Sequence, residues 1–178
     1  TVPGGRAPRA EADVPELVTL RGIAQRELGA LRRTGGRLVL TPEGRRLLDD
    51  SGAMWDAATT ALAAPEHGED EFDATMREVA LMILAEGRPL RQGELTARVA
   101  EVAAVDERRP SRATPAGSAA AHGRQASRLL ARLRRRLDAF GLRVPRANSE
   151  QLTPAGQAAA LAALRAHALR PRQYISPR

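Results

Sequence analysis

A mostly α-helical fold with short β-hairpins is predicted by three observations. A short apolar run, a polar turn, a return through leucine and a helix start at Thr-Pro occurs twice, over residues 31–48 and 141–156. Elsewhere, apolar residues recur at helical spacing. Hydrophobic residues make up 43% of the chain but aromatics only 2%, so Ala, Leu and Val must build the core. In both copies the threonine (Thr41, Thr153) can cap a helix through its hydroxyl. The following proline suits the first helical position, where its missing N–H had no partner. Thr34-Gly35-Gly36 supplies the positive-φ freedom of a tight hairpin.

In chain order, residues 1–12 read as a disordered Pro/Gly/Arg arm. After Pro15, Leu17, Leu20, Ile23, Ala24 and Leu28 form one helical stripe, followed by the first hairpin and its helix to about Gly52. Trp55, Ala58 and Leu62 share a face of a short helix, with Trp55 as its packing anchor, and Pro65 to Asp70 form an acidic linker. Phe72, Met76, Val79 and Ile83 are spaced i, i+4, i+7, i+11, with Asp70, Glu71 and Asp73 at the positive helix end. Gly87 and Pro89 stop that helix. Leu95, Val99 and Val102 mark the next one. Residues 104–121 are poor in bulky apolar groups and read as a mobile loop. The helix over 122–140 is the most amphipathic: Leu129, Leu133, Leu137 and Phe140 form a core face. The second hairpin, an Ala/Leu helix to about Leu169 and a basic tail over 171–178 complete the chain.

The order over 72–169 (helix, helix, loop, helix, hairpin, helix) is that of a winged helix, with 122–140 in the recognition position. Residues 14–50 supply only the latter half of such a unit. The expected architecture is therefore two tandem winged-helix-like units, the first incomplete. Residues 13–64 form that incomplete unit with a linker helix, and 65–170 form the complete one. The two absent leading helices mean either a rudimentary first copy or a longer parent protein.

Charge is unevenly placed. All 28 basic residues are arginine. Net charge is +2 over residues 1–50, −6 over 51–110 and +11 over 111–178, where 13 arginines meet only 2 acids. A one-sided basic segment is the usual footprint of nucleic-acid binding. The absence of cysteine excludes disulfides and thiolate zinc sites. No apolar run approaches the roughly 18 residues that span a bilayer, and no signal-peptide pattern opens the sequence, so the chain reads as cytoplasmic. His67, His122 and His167 are scattered, and neither a nucleophile elbow nor a Gly-rich phosphate loop is visible. No catalysis, cofactor or metal is expected.

The pattern Leu20-Arg21, Ala24, Leu28-Gly29, Leu31-Arg32, Gly36-Arg37-Leu38, Leu40-Thr41, Gly44, Leu47 to Asp50 and Trp55 resembles the C-terminal region of a known family. These are the actinobacterial proteins named after the plasmid open reading frame pRiA4b ORF-3, also described as transposon-passenger or resolvase-like proteins. The resemblance covers residues 17–87 and extends loosely to 169. It implies a winged-helix-like tail rather than a particular activity, and the serine or tyrosine nucleophile that a resolvase needs has no counterpart.

The expected partner is double-stranded DNA, in a role such as transcriptional regulation. Arg124, Gln125, Ser127, Arg128, Arg132 and Arg135 present the 122–140 helix to the major groove. Arg143, Arg146 and Asn148 contact phosphates from the second hairpin, and Arg32, Arg33 and Arg37 do so from the first. Arginine suits this task because its planar fork bonds guanine edges and phosphates in pairs. Two features oppose it. The loop before the helix is about 18 residues where 3–4 are usual. The densest charge, Arg134-Arg135-Arg136, sits near the helix C-terminus, where cations suit the dipole and Arg134 can pair with Asp138. The competing readings are a basic face left solvated or docked on the acidic 65–73 segment, and a structural adaptor or oligomerisation module of a larger assembly, a homodimer included, that uses the winged-helix surfaces for protein contacts.

Overall fold

Two copies of one junction organise the molecule. The computed structural model describes residues 8–65, 69–91, 93–107, 119–145 and 149–169. After a single 3-10 turn at Glu11–Asp13 come α1 (Pro15–Arg26), β1 (Leu31–Thr34), β2 (Arg37–Leu40), α2 (Pro42–Asp49) and α3 (Ser51–Ala63). Then follow α4 (Glu71–Ala85), β3 (Leu90–Arg91), α5 (Glu94–Glu107), α6 (Ala119–Ala139), β4 (Ser149–Glu150) and α7 (Pro154–Ala168). The fold is mostly α, with two small antiparallel sheets. No helix among the described residues is long and apolar enough to cross a membrane.

At the first junction, the Thr41 hydroxyl accepts from the Gly44 N–H at 3.0 Å and donates to the carbonyl of Gly29 at 2.7 Å. At the second, the Thr153 hydroxyl accepts from the Gly156 N–H at 3.0 Å and donates to the carbonyl of Leu142 at 3.2 Å. Each threonine N–H also bonds back, Thr41 to Ala30 at 3.0 Å and Thr153 to Leu142 at 2.9 Å. One threonine thus caps the helix and ties it to the chain entering the hairpin. Replacing Thr153 by alanine is expected to cost about 1–2 kcal/mol in urea unfolding, with serine retaining most of the stability.

From Gly29 and Gly141 onward, the copies align at an offset of 112 residues, through Thr41/Thr153 and Gly44/Gly156. Both glycines leave their helix at positive φ, 59° and 66°, a backbone that side chains resist. The first copy has one residue more between helix end and glycine. On the helices themselves, Leu17, Leu20 and Ala24 therefore stand where Leu130, Leu133 and Leu137 stand on α6.

The second copy is complete. β3 pairs antiparallel with β4 (Leu90↔Glu150, Arg91↔Ser149), and an isolated bridge joins Arg143 to Leu152. The returning segment over 149–152 therefore pairs with the strand after α4 and bridges to the chain leaving α6. Leu81, Leu84, Leu90, Leu95, Val99, Leu130, Leu133, Leu137 and Leu152 are buried in one core. The first copy is α1, the β1–β2 hairpin and α2 alone. Its two-residue loop, Gly35-Gly36, has both φ values positive, at 55° and 80°.

Several local expectations change. Helix α5 continues through Glu107 and α6 begins at Ala119. Both ends of the expected 104–121 loop are therefore helical, as Ala-rich sequence permits, and residues 108–118 lie outside the described ones. Val102 is exposed on α5. Trp55 is exposed as well, and Leu62 and Ala63 bring α3 into the core where it packs on α7. The α1 stripe divides: Ile23 is buried, while Leu17 stays open. The end of the expected disordered arm over 1–12 is ordered, entering the 3-10 turn at Glu11–Asp13. There the Asp13 carboxylate accepts from the N–H groups of Arg9 and Ala10 at 2.7 and 3.0 Å. Residues 1–7 and the tail over 171–178 lie outside the described residues.

Candidate nucleic-acid interface

Helix α6 buries Leu129, Leu130, Leu133 and Leu137 and distributes its arginines over the rest of its circumference. Arg124, Arg128 and Arg135, spaced i, i+4, i+11, share one face. All three are exposed, and none makes an ion pair among the described residues.

Its other expected DNA contacts are already engaged. Gln125 donates from Nε2 to Asp73 at 2.9 Å, and Arg132 reaches the buried carboxylate of Glu69 at 3.5 Å. This part of the basic face is docked on the acidic segment before and within α4. Ser127 is exposed, but its hydroxyl donates to the Gly123 carbonyl one turn back at 2.7 Å. Arg143 holds Asp138 through two bonds of 2.7 and 2.8 Å. The Asp138 carboxylate raises the Arg143 pKa above its ordinary value, against the opposing effect of burial. Arg134 does not pair with Asp138 at i+4. It makes a two-pronged bond to Glu150 on β4, at 2.9 and 2.6 Å. Arg136, expected in a surface cluster, is buried against α3 and Glu27. Arg146 and Asn148 lie outside the described residues.

The first hairpin keeps Arg32, Arg33 and Arg37 exposed, but not together. The register pairs Arg32 with Val39 and Thr34 with Arg37. Strand alternation therefore puts Arg32 and Arg37 on one face and Arg33 on the other.

One cation escapes the sequence reading. Arg26, in the last turn of α1, is exposed, and its guanidinium lies over Gly22. It lines a cleft of about 280 Å³ between α1 and α6, along with Arg135. No local signal identifies it, because its relevance comes from α1 lying beside α6, more than a hundred residues away in sequence. Arg124, Arg128, Arg135 and Arg26 thus form the exposed cationic surface around α6. Guanidinium forks in that arrangement are matched to oxyanions such as phosphates. No family model, curated protein or solved structure matches the chain, so its functional reading rests on this geometry.

Proposed function

We propose that the chain is a non-catalytic double-stranded DNA-binding protein of the winged-helix kind, used in transcriptional regulation. The observation that carries this reading is the exposed line of Arg124, Arg128 and Arg135 on the helix in the recognition position. The major groove accepts one helix, and arginines along it meet guanine edges and flanking phosphates. Arg26 joins them from the flank. Arg32 and Arg37 supply backbone contacts from the first hairpin. Gln125, Arg132 and Arg143 act indirectly, holding α6 and the second hairpin in place through Asp73, Glu69 and Asp138.

The test is fluorescence anisotropy of a labelled random duplex across a salt series. Wild-type affinity should fall linearly with salt on logarithmic axes. Replacing Arg124, Arg128 and Arg135 together by alanine should weaken binding and reduce the slope by about 2–3, near 0.9 for each phosphate left unneutralised. Arg165→Ala, which removes an exposed charge from α7, should leave the slope unchanged. Absence of binding at low salt, or an unchanged slope in the triple variant, would overturn the reading.

A further inference from the structure

The two copies of the hairpin–helix junction differ in what covers them. In the second copy, Leu130, Leu152 and Ala160 are 0%, 1% and 0% exposed. Helices α4 and α5 pack over α6 and α7, and β3 lies along β4. Their counterparts in the first copy, Leu17, Leu40 and Leu48, are 50%, 37% and 66% exposed. All three line one apolar groove of about 460 Å³, continued by Leu20, Leu28 and Leu38. Apolar side chains stand at the positions a complete unit would bury, and here they remain exposed, with Glu11 of the 3-10 turn at the groove's edge.

We propose that this groove is the docking site of a helix–strand–helix segment from a partner polypeptide. The segment would take the place that α4, β3 and α5 hold in the second copy. Three observations define it. The equivalence of Leu17, Leu40 and Leu48 with core residues calls for two helices with apolar inner faces. Among the described residues β2 pairs only with β1. Its second edge is therefore open to a short strand at Leu38, as the Glu150 backbone receives Leu90 in the second copy. Charge orients the segment. Arg45 occupies the position of Gln157, whose side chain lies against Gly87 just past the end of α4. Arg45 is exposed and without an ion pair among the described residues. It faces the C-terminal carbonyls of the first docked helix, where a cation is favoured. The proposal does not depend on DNA binding, since Arg124, Arg128 and Arg135 lie outside the groove.

The chain contains no cysteine, so single Leu17→Cys, Leu48→Cys and Leu161→Cys variants of the full chain report accessibility through maleimide labelling. The probe is a synthetic peptide spanning residues 70–107, the segment that covers the equivalent face in the second copy. Labelling at positions 17 and 48 should be fast in the dilute free protein. With peptide at about ten times its dissociation constant, mass action should slow it about tenfold. Position 161, exposed on α7, should label at an unchanged rate. Slow labelling of the dilute free protein would assign the groove to the chain itself. Slowing with rising protein concentration alone would assign it to a second copy. An unaffected rate with peptide would show that the groove does not take this kind of segment. Each of these three results overturns the proposal.

Discussion

Alanine at Gly156 should destabilise the protein by about 3 kcal/mol, at the upper end of the cost of overpacking. For a chain of this size that is a fall of roughly 6–12 °C in Tm. A Cβ built at Gly156 would lie 2.1 Å from the carbonyl oxygen of Leu142. That oxygen cannot withdraw cheaply, because it accepts bonds from the N–H and hydroxyl of Thr153. Moving it would loosen the helix cap and the chain entering the hairpin together. Glycine is required here for close approach, since its φ is not positive. Gly44→Ala repeats the clash at 2.2 Å from the Ala30 carbonyl. It should cost less, because the strands that would have to move with that carbonyl are mostly exposed. Gly123→Ala is the contrasting control. Nothing lies within 4 Å of its added Cβ, so better helix propensity should make it neutral or stabilising by up to about 1 kcal/mol. Urea unfolding of the three variants checks the order. Equal small losses at positions 156 and 123 would contradict the role assigned to the junction.

The same contrast explains what can be read from the sequence. The Thr-Pro-x-Gly junctions are legible because cap, proline and glycine lie within four residues and each has a local physical reason. The core leucines of α6 are legible because their spacing matches the helix period. Strand β3 is not, since two residues, Leu90 and Arg91, are too few to show alternation. The ends of α5 and α6 are obscured for another reason: alanine favours the helix without adding the bulky apolar residues that mark a face. The interface is where sequence reasoning falls furthest short. Arginines along α6 are visible at once, but their carboxylate partners are not. Asp73 is 52 residues from Gln125, and Glu69 is 63 from Arg132. Such pairs exist only once α4 has packed beside α6. Net charge therefore points to α6, and tertiary structure decides which cations on it stay exposed.

Arg136 gives the second large effect and shows why density of charge misleads near the end of α6. The triplet Arg134-Arg135-Arg136 leaves a single exposed cation, Arg135. Arg134 is held by Glu150, and the side chain of Arg136 is 3% exposed. Arg136 donates to the carbonyls of Ala61 and, at 3.0 Å, Ala64, and meets Glu27 at 2.7 Å. One guanidinium thus joins α6 to the end of α3 and to the turn after α1. Truncating one partner of such a buried pair typically costs about 3–5 kcal/mol, because the other charge and its acceptors remain desolvated. Arg136→Ala should fall in that range, and the amides of α1 should lose hydrogen-exchange protection before those of α4. Replacing the pair with apolar residues, Arg136→Leu with Glu27→Leu, should recover part of the loss, since no unmatched charge is left there. A single variant within about 0.5 kcal/mol of wild type, the range of ordinary surface changes, would mean that the packing of the incomplete copy on the complete one does not depend on Arg136. A loss confined to α1, with the second copy intact, would instead show that the complete copy folds without its partner. The proposed DNA-binding surface of α6 could then be measured free of α1, separating the contribution of Arg26 from that of Arg124, Arg128 and Arg135.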